Sequence, residues 1–201
     1  MSEVGLIVLA AGASKRMGQP KALLSWDTKN LITHQLETAL SLGLPVGVVL
    51  GAHAPAIKKT IAHLPITSYF NPSWQDGMGA SLAYATKSML KTYPTLKGLL
   101  VLAVDQPLVN RVHLEKLLHL FEPHQKQIIV SKSEAGWQGI PVLFDAFYFD
   151  ALQQLSGDNG AKSITKHYKD QVVVVRAKGL LIDMDTPESY AALQQKINRQ
   201  S

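Results

Sequence analysis

The residues best suited to chemistry begin with three cations in a turn of small residues. Lys15, Arg16 and Lys21 lie in or just after the stretch Leu9-Ala10-Ala11-Gly12-Ala13-Ser14-Lys15-Arg16-Met17-Gly18-Gln19-Pro20-Lys21. An apolar run over 4–9 leads into it and reads as a buried strand. Ala10, Ala11, Gly12 and Ala13 let the backbone turn tightly and approach a ligand. Bare amides and converging positive charge at a strand end suit a polyphosphate. An ordinary strand-to-helix loop with solvated lysines would use the same residue types. The stretch is not the dinucleotide fingerprint, because Ala13 and Ser14 follow Gly12. It is not a Walker loop either, because Gln19-Pro20 stand before Lys21.

Carboxylates come later. The apolar run over 97–104 ends in Asp105-Gln106-Pro107. A carboxylate there is costly to leave unpaired, and a hard cation such as Mg²⁺ would pair it; an Asp capping the next turn is the simpler use. A second acidic set is Asp183-Met184-Asp185-Thr186-Pro187-Glu188. Thr186 and Pro187 suffice to start a helix, yet two aspartates around one Met exceed what a cap needs. Gly77, Gly79 and Ser81, in Asn71-Pro72-Ser73-Trp74-Gln75-Asp76-Gly77-Met78-Gly79-Ala80-Ser81, offer close approach and hydrogen bonds at a helix start. Leu155-Ser156-Gly157-Asp158-Asn159-Gly160-Ala161-Lys162 reads as a capped turn, with Asp158 or Asn159 as cap. The histidines, His34, His53, His63, His113, His119, His124 and His167, lack zinc-ligand spacing and are expected on the surface or at helix caps. His53, at a strand end, is a candidate to line a pocket. There is no Gly-x-Ser-x-Gly elbow, which disfavours a serine hydrolase.

These residues need elements to hold them. Strands are predicted over 3–10, 45–51, 66–70, 97–104, 127–131, 138–144, 171–176 and 180–182, and helices over 30–42, 53–63, 78–91, 110–120, 145–154, 159–168 and 187–199. Met78, Leu82, Ala85 and Met89 share a helix face, as do Leu114, Leu117, Leu118 and Phe121. Asn110 and Thr186 read as N-caps. The alternation predicts parallel strands with helices on both faces. From about 132 the rhythm changes, which predicts an antiparallel excursion or an insertion. In such sheets ligands bind beyond the strand carboxyl ends, where the loop, Asp105 and the late acids fall.

The bulk numbers agree with one well-buried globular domain over 1–201. Hydrophobic residues make up 46% and charged ones 17%. The net charge of +5 is spread along the chain, which favours anionic small molecules over nucleic acid. No cysteine is present, so disulfides and thiolate metal sites are excluded. The N-terminus lacks a signal pattern and no apolar run spans a bilayer, so a cytoplasmic protein without membrane attachment is expected.

The first loop resembles the signature of the MobA-like nucleotidyltransferases: Leu-Ala-Ala/Gly-Gly, three variable residues, Arg-Met-Gly, then Lys. Asp105 in Asp-Gln-Pro, the Asn-x-x-Trp-x-x-Gly stretch and then Ser, Gly-Asp-x-Gly-Ala at 157–161 and Asp-Met-Asp-Thr-Pro-Glu follow in the family's order, most like the molybdenum cofactor cytidylyltransferases (MocA-type). The resemblance implies a Rossmann-like three-layer α/β fold of the nucleotide-diphospho-sugar transferase type, its sheet mixed but mostly parallel. It implies a nucleotide-binding half over about 1–108 and an acceptor half over about 109–201. The implied reaction moves CMP from CTP to a phosphate acceptor of molybdopterin type and releases pyrophosphate, with a molybdenum enzyme as a possible recipient. Leu9, Ala10, Ala11, Gly12, Gln75, Gly77 and Ser81 would hold the nucleotide. Arg16 and Lys21 would stabilise the triphosphate. Asp105 and Asp185 would hold Mg²⁺, with Asp183 a weaker candidate. Gly139, Pro141, Gly157, Asp158 and Gly160 would meet the acceptor. Ala11, where guanylyl-transferring relatives usually carry Gly, favours cytidylyl transfer; Ile140 stands where relatives usually carry His and leaves the acceptor open. Two alternatives stay open: transfer from GTP or another NTP to a sugar-phosphate or isoprenoid-type phosphate, and a non-catalytic chaperone that delivers a cofactor.

Overall fold

The computed structural model describes residues 3–158 and 160–198. Its centre is β1 (Val4–Ala10), whose seven residues are all buried. That burial on both faces explains why the run is continuously apolar rather than alternating. β4 (Val46–Leu50) and β6 (Gly98–Ala103) flank β1 in parallel, and β5 (Thr67–Phe70) extends the sheet beyond β4. On the other side β8 (Gln138–Asp145) pairs antiparallel with both β6 and β7 (Ile128–Lys132), and β9 (Val172–Arg176) runs parallel to β7. The seven-stranded order is β5-β4-β1-β6-β8-β7-β9, so β8 alone among them is reversed. Its amino end therefore lies at the edge where the other strands have their carboxyl ends. The change of rhythm near 132 is this antiparallel hairpin.

Side chains of β1 divide the core. Leu6, Val8 and Ala10 join the cluster that takes in α1 (Leu31–Leu40), α2 (Ala54–Thr60), α4 (Arg111–His119) and α7 (Pro187–Asn198). Ile7 and Leu9 join the cluster with α3 (Met78–Thr92), α5 (Phe149–Gln153) and α6 (Lys162–His167). The result is a three-layer α/β fold with a mixed, mostly parallel sheet.

Several expectations change. Residues 180–182 form no strand: Leu180 N–H donates to the Ala177 carbonyl, turning the chain, and Leu181 and Met184 insert into the core without a ladder. The helix expected over 145–154 starts later, because Asp145 ends β8 and its carboxylate accepts from Phe147 N–H (2.8 Å). A two-stranded ribbon, β2 (Ser25–Trp26) with β3 (Lys29–Asn30), is too short to register as a pattern. Asn110 does cap α4, accepting from His113 N–H (3.1 Å), and Thr186 Oγ1 accepts from Ser189 N–H (3.3 Å) before Pro187 opens α7. Asn159 and residue 199 lie outside the described residues.

His113 is neither surface nor cap. It is 2% exposed, and its Nε2 lies 2.8 Å from Ser131 Oγ, which donates to the Pro141 carbonyl (2.7 Å). This chain ties α4 to β7 and β8. Burial, aided by Lys116, drives the His113 pKa down from 6.5 to about 4. The unfolded chain therefore binds the extra proton between those values, and stability falls as pH is lowered through that window. Replacing His113 with non-titrating Gln should remove the uptake of about one proton on unfolding near pH 5. Urea unfolding of both proteins from pH 7 to 4 measures it; parallel slopes would contradict this.

Candidate functional site

The carboxyl edge of the sheet opens into one cleft of about 1010 Å³. After β1 the chain turns through Ser14, in the left-handed region (φ 55°), and a single 3-10 turn over Lys15–Met17. Two contacts fix this path. Met17 is buried in the core, and Ser14 Oγ accepts from Lys21 N–H (3.0 Å). Gly51, just after β4, allows the loop's close approach: a Cβ there would stand 2.4 Å from the Ala11 carbonyl and 2.6 Å from Trp74 Cβ. Arg16 is thus left outside, its side chain 72% exposed, while Lys21 points inward with 15% exposed.

Lys21 Nζ lies 2.9 Å from Asp105 Oδ2 and 2.6 Å from Asp185 Oδ1, and Arg16 Nη2 lies 2.6 Å from Asp185 Oδ2. Burial by itself would lower the Lys21 pKa, but the two carboxylates outweigh it and hold the ammonium above its ordinary value. Burial pushes Asp185 the other way from its cations, and Lys21 and Arg16 win, lowering it. Asp183 is raised, first by burial and then by Asp105 and Asp185, against the bond it accepts from Gln106. That bond, Gln106 Nε2 to Asp183 Oδ1 (3.0 Å), and the Met184 N–H to Asp105 carbonyl bond (2.8 Å) stitch the segment after β6 to the one before α7. Gln35 Nε2 anchors the Gln106 carbonyl from α1 (2.5 Å). The spacing of Asp105 and Asp185 is set by this frame.

The opposite wall starts at Asn71. Its Oδ1 accepts from Ser73 N–H (3.0 Å) and its Nδ2 donates to Ser81 Oγ (3.2 Å). Gly77 (φ 100°) and Gly79 let the start of α3 press against the turn at 156–158. A Cβ on Gly77 would stand 2.5 Å from Asp158 Oδ1, and Gly79 N–H donates to the Gly157 carbonyl (2.8 Å).

Of the residues singled out in the sequence, Leu9, Ala10, Ala11, Gly12, Arg16, Lys21, Gln75, Gly77, Ser81, Asp105, Gly139, Asp158, Gly160 and Asp185 line this cleft, as does Asp183. Pro141 is buried behind the wall, with its carbonyl taken by Ser131, and Gly157 supports α3 from outside. His53 reaches the Ala13 carbonyl (3.4 Å) rather than the cleft. Trp137, 38% exposed, lines the cleft as well, and its ring packs 3.4 Å from where a Gly139 Cβ would be. An aromatic beside the Gln138-Gly139 pair was its only signal in the sequence. Among the described residues no group of three or more His, Cys, Asp or Glu could hold a metal. Two carboxylates converging on one cation still fit an ion such as Mg²⁺, which takes one or two carboxylates and completes its shell with phosphate oxygens and water.

The chain matches the MobA-like NTP transferase domain over residues 6–172 and belongs to that family. It is 28% identical to the purine catabolism protein PucB of Bacillus subtilis (strain 168), with 92% of each covered. It is 22% identical to the molybdenum cofactor cytidylyltransferase of Escherichia coli (strain K12), with 98% of each covered. Its fold is shared with Rv0371C of Mycobacterium tuberculosis H37Rv, solved in complex with manganese, at a TM-score of 0.80 and 24% identity over 96% of this chain and 99% of that one.

The packing at Gly77 generates a stability test. Gly77→Ala meets both an unfavourable φ and a backbone clash, and should cost about 1–3 kcal/mol. Gly43 has φ 69° but nothing within 4 Å, so Gly43→Ala should lose only the conformational part, about 1 kcal/mol. Thermal unfolding of the pair measures the difference; equal losses would refute the close contact.

Proposed function

We propose that this nucleotidyltransferase moves CMP from CTP to the phosphate of a small acceptor of molybdopterin type and releases pyrophosphate, with Mg²⁺ bound. The observation that carries this reading is the Lys21 ammonium held between Asp105 and Asp185 at the carboxyl edge of the sheet, with Arg16 beside it. Cations for a triphosphate and carboxylates for a divalent ion meet there in one place. The manganese complex of Rv0371C supports a divalent metal.

In this reading Leu9 to Gly12, Gln75, Gly77 and Ser81 seat the nucleoside, and residues 1–108 form the nucleotide half. The Ala11 side chain, 6% exposed, occupies space that a glycine would leave free, which favours a pyrimidine over a larger purine. Gly139, Asp158 and Gly160 face the acceptor, and Pro141 and Gly157 support that wall from behind, within an acceptor half over 109–201. An oxygen of the acceptor phosphate attacks the α-phosphorus; a new P–O bond forms there as the bond to the β-phosphate oxygen breaks, and pyrophosphate leaves. The acceptor phosphate is mostly ionised at neutral pH, with a second pKa of about 6, so no general base is needed. Arg16 and Lys21 neutralise the departing pyrophosphate. A bound Mg²⁺ would act as Lewis acid and template on Asp105 and Asp185. The likeness to the Escherichia coli cytidylyltransferase supports CTP and a molybdopterin-type acceptor.

Pyrophosphate release should appear with CTP, Mg²⁺ and a molybdopterin-type acceptor, and fall by at least about 10³-fold in Asp105→Ala with unchanged circular dichroism. Release with GTP alone would overturn the choice of base. Release with a sugar-phosphate or isoprenoid phosphate alone would overturn the acceptor. No release with any NTP would favour a delivery chaperone.

A further inference from the structure

Both carboxylate oxygens of Asp185 already face a cation. Lys21 Nζ is at Oδ1 (2.6 Å) and Arg16 Nη2 at Oδ2 (2.6 Å), while the same Lys21 Nζ reaches Asp105 Oδ2 (2.9 Å). We infer that Lys21 is a resident counter-ion that keeps divalent metal off Asp105 and Asp185 until a triphosphate draws it away, so that nucleotide and metal bind as one unit. The inference rests on the nucleotidyl-transfer reading and adds an order of events to it.

Three features carry it. A metal arriving first must share the carboxylates with an ammonium a few ångströms away, in a spot where the Lys21 side chain is only 15% exposed and water screens poorly. A triphosphate arriving first gains Lys21 but leaves the carboxylates of Asp105 and Asp185, with Asp183 nearby, beside the phosphates with only the exposed Arg16 to offset them. When both arrive, Lys21 and Arg16 would pass to phosphate oxygens, freeing Asp105 and Asp185 to hold the metal. The exchange needs little backbone motion. Lys21 N–H stays on Ser14 Oγ (3.0 Å) and Pro20 holds φ near −60°, so a flexible four-carbon stem makes the movement. Arg16, largely exposed, is equally free to turn. Such coupling is reciprocal, so metal must strengthen nucleotide binding by the same factor.

Electron paramagnetic resonance of Mn²⁺ titrated into the full chain tests this without turnover. Wild type should bind Mn²⁺ at least about tenfold more tightly with a non-hydrolysable α,β-methylene CTP than without it. Without nucleotide, Lys21→Met should bind Mn²⁺ at least about tenfold more tightly than wild type, whereas Lys21→Arg, which keeps the charge, should stay close to wild type. Lys21→Gln replaces Lys21→Met if circular dichroism shows the latter unfolded. Equal Mn²⁺ affinity of wild type and the neutral variant would overturn the inference, as would equal affinity of wild type with and without nucleotide. Failure of the transfer reading would show separately, as no pyrophosphate from any NTP, while the nucleotide-free comparison still stands.

Discussion

One ammonium shared by two carboxylates closes this structure's functional edge. Lys21 comes from the loop after the first strand, Asp105 from the end of the fourth long strand, and Asp185 from the start of the last helix, 84 and 164 residues away from Lys21. Exposed ion pairs contribute little on their own. This one is partly buried, joins three segments, and sits in a frame of hydrogen bonds through Gln106, Asp183 and Met184 that would hold the carboxylates close even without it. Two like charges held close need a cation. Lys21 supplies it in the free protein, and the two carboxylates it joins are the oxygen donors that would hold a divalent ion.

The sheet explains how such distant residues meet. Parallel strands on either side of β1 deliver the loops after β1, β4, β5 and β6 to one edge. The reversed β8 brings Gln138, Gly139 and Trp137 to that edge from the other direction, since its beginning, not its end, lies there. The cations Lys15, Arg16 and Lys21 and the carboxylates Asp105, Asp183 and Asp185 thus line one end of the cleft, and Trp137, Gln138, Gly139, Asp158 and Lys162 line the other.

Much of this was legible in the sequence, for physical reasons. A doubly buried central strand has to be a continuous apolar run, so β1, β4 and β6 stand out. Spacing fixes the core face of α4 and, at Leu82, Ala85 and Met89, that of α3, whereas Met78, expected on the same stripe, is 46% exposed and lines the cleft because it sits on the first turn of α3 at the sheet's carboxyl edge. The loop of 9–21 was recognisable because the order Leu-Ala-Ala-Gly, Arg-Met-Gly, then Lys matches a family signature, not because its residue types are unusual. What was hidden is long-range. Leu180–Ile182 looks like a strand because it is apolar, but it is apolar because it plugs the core beside Met184. His113 looked peripheral because its partner, Ser131, lies on a strand 18 residues later. Lys21 was expected to wait for phosphate; that it meanwhile neutralises Asp105 and Asp185 depends on tertiary placement alone.

The central claim is that the cleft transfers the α-phosphorus of a nucleotide and not its terminal phosphate. Isotope tracing separates these directly: the protein is incubated with Mg²⁺, a molybdopterin-type phosphate acceptor, and CTP labelled at either the α- or the γ-phosphorus. The account predicts that α-label enters the acceptor as a new phosphoanhydride while γ-label leaves as pyrophosphate. Transfer of γ-label to the acceptor, or release of α-label only as free CMP, would contradict it.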